Sequence, residues 1–266
     1  MGAVSAFKKY LCFVEMGMKR GFERKWDILG RVIFYGVILV IFSKLWTSVD
    51  LLAVGNSKVH TQGLIWYLAI SEWIVLSVPL IYIEIESEIR RGDLLYFEGK
   101  PISYPTMKIS EGIGELLPYL GILGCAGVIF AWALSGSLPE PPFNLLKIVP
   151  IGILAGIVSL IVQVAIGLSA HWIQSATPVY WLWQKVGYVL GGVMLPLPLY
   201  PDALEKIARA SPFPVLLSGA AEGVLYGDSD FLINTMGMLF FWCAASIFLV
   251  IGVFQKCQDR MSRDGG

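Results

Sequence analysis

Apolar positions in this chain gather into six long stretches, preceded by a segment where they recur at spacings of three and four. In that first segment Val4, Phe7, Leu11, Val14, Met18, Phe22 and Trp26 share one helix face. Lys8, Lys9, Glu15, Lys19, Arg20, Glu23, Arg24 and Lys25 fall largely off it. A basic amphipathic helix of this kind is expected to lie in the membrane interface, its apolar stripe in the headgroup boundary. The other reading, a surface helix on a soluble domain, finds no soluble domain here to pack on.

The six stretches run over about Leu29–Trp46, Leu64–Glu84, Ile113–Leu134, Leu145–Trp172, Val179–Leu197 and Phe231–Phe254. A hydrocarbon core about 30 Å thick takes about 20 helical residues to cross, and each stretch has roughly that length. The fourth is overlong and must tilt or project. The fifth ends in Pro196, Pro198 and Pro201, which cannot continue a helix. Trp46, Trp66, Trp132, Trp172, Trp181 and Trp183 fall near the ends, where interfacial aromatic residues sit. The pattern predicts an all-α polytopic membrane protein in one domain. Residues 1–27 form the interfacial helix, 28–254 a six-helix body and 255–266 a cytoplasmic tail.

Between the fifth and sixth stretches, Asp202 and Glu205 read as a capping box that opens a short helix. That helix stops before Pro212. Residues 213–225 are too apolar for a free loop and too short to span, so both pieces are expected in the outer leaflet. Gly121, Gly124 and Gly127, then Gly152 and Gly156, recur at spacings that let helix backbones approach.

Of the 266 residues 56% are hydrophobic and 15% charged, against about 25% charged in soluble domains. The formal net charge of +0 excludes a general nucleic-acid binder, but it hides an asymmetry. With a cytoplasmic N-terminus, the inside holds Lys8, Lys9, Lys19, Arg20, Arg24, Lys25, Arg31, Arg90, Arg91, Lys100, Lys108, Lys185, Lys256, Arg260 and Arg263. Lys44, Lys58, Lys147, Lys206 and Arg209 are left outside, a positive-inside bias of about three to one. Both termini are then cytoplasmic. No cleavable signal peptide is expected, because many charges precede the first apolar stretch. Cys12, Cys125, Cys243 and Cys257 show neither a disulfide framework nor paired ligand spacing. His60 and His171 add no cluster, and no metal site is expected.

The one long internal segment dense in charge runs from Glu84 to Lys108. Glu84–Arg91, with Glu86, Glu88, Arg90 and Arg91, reads as an acidic-then-basic helix continuing from the second stretch. Gly92 and Asp93 break it, Leu94–Phe97 return to apolar surroundings, and Gly99-Lys100-Pro101 closes the turn. The segment is either an ordinary connecting loop or a lever whose charged tip docks in a groove of a cytoplasmic subunit.

Here the chain resembles the integral-membrane permeases of ATP-binding-cassette (ABC) exporters of the type-two class. In that family the loop after the second span reads isoleucine, a basic residue, Gly-Asp/Asn-Leu, then Lys/Arg-Pro. The matching positions are Ile89, Arg90, Gly92, Asp93, Leu94, Lys100 and Pro101. The family's proline-rich end to the fifth span, short helix and Pro-Phe pair are matched by Gly191, Gly192, Pro196, Leu197, Pro201, Leu204, Pro212 and Phe213. The order of elements agrees over nearly the whole length. Glu98-Gly99 departs from the pattern, which more often has an aliphatic residue there.

The resemblance implies a non-catalytic subunit of the bacterial inner membrane. It implies a second permease, identical or a sister chain, and a cytoplasmic nucleotide-binding ATPase that carries ATP and Mg, whose closure the elbow transmits. The cargo expected is amphipathic, lipid-like or drug-like, and membrane lipid is the surrounding partner. No GxxxxGK[ST] phosphate loop occurs, since Gly99-Lys100 precedes a proline and lacks the upstream glycine. The ATPase is therefore expected on another chain.

Ionisable and amide side chains inside apolar stretches are candidates for a translocation path. Glu72, in the second stretch, either faces a cavity or pairs with a polar neighbour. Glu111 and Glu115 share a helix face at i, i+4 and either solvate a helix end or meet the substrate. Gln163, Gln174 and Gln184 either bond helix to helix or line a polar path. Ser169 and His171 point to different faces and cannot serve as nucleophile and base. A stand-alone transporter or channel, the alternative function, requires mid-membrane acids or broken helices, and Glu72 is its support.

Overall fold

The computed structural model describes residues 2–48, 61–97, 102–139, 144–225 and 229–264, and every regular element among them is helical. In chain order these are α1 (Gly2–Glu23), α2 (Lys25–Ser48), α3 (Thr61–Ser77), α4 (Ile81–Arg91), α5 (Tyr104–Ser135), α6 (Asn144–Lys147) and α7 (Val149–Leu168). They continue with α8 (Thr177–Leu190), α9 (Asp202–Ala210), α10 (Phe213–Leu217), α11 (Gly219–Leu225) and α12 (Ser229–Asp264).

Among the described residues, five helical stretches are long and apolar enough to cross a membrane. They are Lys25–Trp46, Gln62–Arg91, Tyr104–Ser135, Leu145–His171 and Asp230–Arg260, which match five of the six stretches anticipated. The exception is Val179–Leu197, which does not form one helix. Helix α8 has 14 residues, about 21 Å at 1.5 Å per residue, against a core of about 30 Å. The chain leaves the helix at Gly191, passes Gly192 at φ 65 and enters a 3-10 turn at Leu197–Leu199. Gly192 supplies the left-handed backbone that a side chain would strain. The Tyr67 hydroxyl donates to its carbonyl at 2.6 Å, which ties the turn to α3.

Helix α3 is the axis of the bundle. Inside the protein, 83% of the Gln62–Arg91 window is buried, against 17% for the windows on α2 and α12. Helices α5 and α7 flank α3, α2 lies on α3 and α5, and α12 runs along α7. Four of the five recurrent glycines are contact points in this packing. A Cβ on Gly152 would stand 2.7 Å from the Trp73 ring, and one on Gly124 would stand 3.1 Å from Trp73 Nε1. On Gly127 it would meet the Tyr35 hydroxyl at 2.3 Å, and on Gly156 a Leu116 methyl at 2.8 Å. Gly121 faces open space.

Helix α1 crosses α5 backbone to backbone. A Cβ on Gly17 would lie 2.0 Å from the Glu111 carbonyl oxygen, and one on Gly114 would lie 2.0 Å from that of Val14. The row turned to α5 therefore includes Val14, Gly17 and Gly21, and it is offset from the expected apolar stripe. Leu11, Phe22 and Trp26 of that stripe remain exposed, as do Lys8, Lys9, Lys19 and Lys25.

Beyond the fifth stretch, α9 begins at Asp202 with Pro201 as N-cap and no side-chain cap bond. The expected capping box is therefore absent, and Asp202 and Glu205 sit in the first turn, where acids favour the helix dipole. The helix stops at Ala210, before Pro212 as anticipated, and α10 and α11 bury Phe213, Leu216, Ala220, Ala221 and Val224. Arg209 holds Glu205 at 2.8 Å and Glu222 at 3.6 Å.

Two outcomes follow from this packing. Gly17→Leu should cost at least about 1–3 kcal/mol, the usual penalty of overpacking, with α1 becoming open to protease. Gly30→Leu, whose Cβ meets nothing within 4 Å, should leave the melting temperature unchanged. The second concerns pH. Burial holds the Glu222 carboxyl above the ordinary carboxylate range, outweighing the opposing pull of Arg209. The folded state thus keeps this proton to higher pH than the unfolded chain. Its stabilisation is complete below the ordinary range and is lost as pH rises through the raised value. Melting curves of Glu222→Gln should coincide with wild type at about pH 4 and lie above it at about pH 8.

Candidate functional site

The charged segment is a separate helix. The expected continuity with the second span is broken at residues 78–80. Pro79 has no N–H to donate and its ring displaces the carbonyl four residues back, while the residue before it avoids helical dihedrals. Carbonyls freed by the break are taken up from α2. The Arg31 guanidinium donates to the carbonyls of Leu76 and, at 3.2 Å, Val78. Asp27 accepts its Nε–H at 3.1 Å, and Tyr119 lies beneath it with the ring centroid 4.7 Å away. The Tyr119 hydroxyl also donates to Asp27 at 2.7 Å.

Helix α4 has an apolar and a charged face. Ile81, Tyr82 and Ile85 are buried, with Ile85 seated on Gly167 of α7, where a Cβ would come within 2.8 Å of it. The helix ends at Gly92, whose φ of 78 and N–H to the carbonyls of Glu88 and Ile89 make a left-handed cap. The tip beyond is exposed. Arg90 and Arg91 side chains are 55% and 61% exposed and pair with Glu86 at 2.7 Å and Asp93 at 2.9 Å. Arg90 also donates to the Gln174 carbonyl. The Glu86 carboxylate accepts the Ala176 N–H at 2.9 Å and the Ser175 hydroxyl at 3.4 Å, which fastens the tip to the segment leading into α8. Leu94 returns to the core as expected, Ile89 is half-buried, and Tyr96 is exposed. Lys100 and Pro101, with Glu98 and Gly99, lie outside the described residues.

On its other side α4 joins a charge cluster shared with α1 and α5. Lys108, its side chain 4% exposed, contacts Glu88 at 2.6 Å, Glu84 at 3.0 Å and Glu111 at 3.3 Å. Arg20 meets Glu84 at 3.1 Å and Glu111 at 3.9 Å, and Arg24 meets Glu115 at 2.5 Å. The Tyr104 hydroxyl donates to Glu88 at 2.6 Å. Three cations thus serve four carboxylates, two from α4 and two from α5. The arrangement locks α4 against the bundle on one side, while the Arg90 and Arg91 side chains stay exposed at the tip.

The candidate path residues do not form one set. Glu111 and Glu115 belong to the charge cluster. Glu72 is 2% exposed within α3, and its Oε2 has no hydrogen-bond partner among the described residues. Gln163 is 3% exposed with Oε1 likewise unpartnered, and it borders a small cavity of about 70 Å³ beside Tyr188 and Gln184. Gln174 is exposed and contributes its carbonyl to Arg90. The Ser169 hydroxyl donates back to the Ile166 carbonyl at 2.6 Å, and His171 lies edge-on to Trp172.

Sequence reasoning passed over Arg31, Lys108 and Tyr104 as site residues and took Arg20 and Arg24 as membrane-surface charges. Lys108, Glu111 and Glu115 stand at i, i+3 and i+7 on α5, a one-face spacing that was available. No signal along the chain links Arg31 to the break at Pro79. No protein-family model matches the chain, and no curated protein matches it.

Removing Lys108 should be far costlier than removing a tip cation. Lys108→Met takes the cation from Glu88, leaves Glu84 and Glu111 to Arg20 alone, and is expected to lose on the order of 3–5 kcal/mol, the usual result of breaking a buried ion pair. Arg90→Ala removes an exposed i, i+4 pair and should lose about 0.3–0.5 kcal/mol. Denaturant titration in mixed micelles measures both.

Proposed function

We propose that this chain is the membrane permease subunit of an ABC exporter, working with a second permease and with cytoplasmic ATPase subunits that hold ATP and Mg. The observation that carries the reading is α4: a short helix set off by a proline break, with exposed arginines at its tip and a locked base. Its tip bears the residues that carry the family resemblance, Ile89, Arg90, Gly92, Asp93 and Leu94. In this reading the tip docks in a groove of the ATPase. Closure of the ATPase pair displaces α4, and Ile85 on Gly167 passes the displacement to α7. The Lys108 cluster passes it to α5 and α1, and the path at the permease interface opens outward.

The same reading places both termini in the cytoplasm of a bacterial inner membrane, as the Lys and Arg asymmetry favours. The sixth crossing is α8 together with the turn through Gly192 and Pro196. The cargo is amphipathic, lipid-like or drug-like. A second reading, transport without an ATPase, draws on the unpartnered carboxylate oxygen of Glu72 deep in α3.

Co-purification separates the two. The permease should bring an ATPase subunit with it, and Arg90→Glu with Arg91→Glu should weaken that association while the protein still inserts. Gly92→Pro, which cannot adopt the left-handed cap, should leave ATP hydrolysis running without transport. A chain that transports in vesicles with no ATPase attached favours the second reading and overturns the first.

A further inference from the structure

A groove of about 710 Å³ opens on the side of the bundle between α3, α5 and α7, with Tyr35 of α2 at one edge. It is unrelated to the charge cluster, which sits at the other end of α5. Its α5 wall runs from Leu117 to Ile129, about 18 Å at 1.5 Å per residue. That is close to half of a hydrocarbon core about 30 Å thick, the depth of one leaflet on the side where α6 lies.

The walls offer hydrocarbon and almost nothing else. The polar groups of its aromatic side chains are already satisfied by backbone carbonyls. Trp73 Nε1 donates to the Leu120 carbonyl at 2.8 Å, and Trp66 Nε1 donates to the Ser137 carbonyl at 3.0 Å. The Tyr35 hydroxyl donates to the Ala69 carbonyl. A water molecule needs two to four polar partners to stay in a buried site, and this almost wholly apolar lining offers few. Gly121 explains why no side chain fills the space, since a Cβ there meets no atom within 4 Å. An open apolar slot at bilayer depth takes up the hydrocarbon around it. Lys147 stands exposed in the chain between the lining residues Leu146 and Ile148, and it makes no ion pair among the described residues.

We propose that this groove is a phospholipid site: one acyl chain lies along Gly121 and Cys125, and the anionic phosphate meets Lys147. The occupant is a resident lipid of the leaflet on the α6 side. The assignment does not depend on the ATPase reading, and neither result below bears on it.

The test uses the full chain reconstituted in vesicles of equal phosphatidylcholine and phosphatidylglycerol, then released and counted for bound lipid by native mass spectrometry. Wild type should retain one phospholipid per chain, enriched in phosphatidylglycerol about fivefold, the worth of about one basic residue beside an anionic lipid. Lys147→Glu should keep the lipid and lose the enrichment. Gly121→Phe should lose the lipid, with Gly30→Phe as a bulk-matched control that keeps it. Full release from wild type, retained lipid of vesicle composition, or equal retention by Gly121→Phe overturns the site. A second readout needs no variant. Cys125 lines the groove and is exposed, so its maleimide labelling, located by peptide mass spectrometry, should rise on delipidation and fall when phosphatidylglycerol is returned. Labelling indifferent to lipid also overturns the proposal.

Discussion

Lys108 is the cation on which the arrangement of α1, α4 and α5 depends. Four carboxylates from α4 and α5 converge in a space largely closed to water, where like charges repel with little screening. An ammonium carries three N–H donors, and Lys108 faces three separate carboxylates, of Glu84, Glu88 and Glu111. A flat guanidinium suits one bidentate carboxylate, whereas a compact ammonium suits three acceptors arriving from different directions. Arg20 of α1 and Arg24, the residue joining α1 to α2, complete the cluster, and the α1 backbone can come close enough only because Gly17 and Gly114 carry no side chains there. Glycine contact and ion cluster are therefore one device: the first sets the distance between helices and the second fixes their rotation.

The break at Pro79 gives the elbow its other boundary. A helix interrupted within an apolar span leaves carbonyls without donors, a cost of several kcal/mol each in hydrocarbon. Arg31 meets it with one side chain, itself steadied by Asp27 and Tyr119. Helix α4 is consequently held at both ends of its base, by a guanidinium at its start and an ammonium along its flank. At its tip the Arg90 and Arg91 guanidinium groups are exposed, while Glu86 ties the helix to the segment before α8. That contrast between a fixed base and exposed cations at the tip is what the coupling role proposed for α4 asks of it.

Length and hydropathy made five spans legible, because crossing a bilayer needs a run of apolar residues that any reading of the chain can count. The same criterion misjudged Val179–Leu197, where composition has span character but Gly191, Gly192 and Pro196 end the helix after 14 residues. It also carried the second span through Pro79, since apolar residues continue on both sides of the break. The α1 packing row was hidden because its contact residues are glycines, which contribute nothing to an apolar stripe. The charge cluster was hidden for a different reason. Its pairs join positions 64 and 91 residues apart, and no local spacing encodes such a meeting. At the tip the helix stop at Gly92 was legible, because it acts through local backbone geometry, and so was the return of Leu94 to the core, whereas Tyr96 is exposed against the expected apolar return.

The wedge of Trp73 between Gly124 and Gly152 has a consequence for biosynthesis. The indole belongs to the second apolar helix to be made, but the surfaces that cover it belong to the third and fourth. During translation α3 must therefore wait beside α2 with a large aromatic face and the Glu72 carboxyl uncovered. Its burial completes only after α7 and the later α10 and α11, which also pack on it, have left the ribosome. The axis of the bundle is among the first parts synthesised and the last to find its final neighbours, so insertion and assembly are separate events in time.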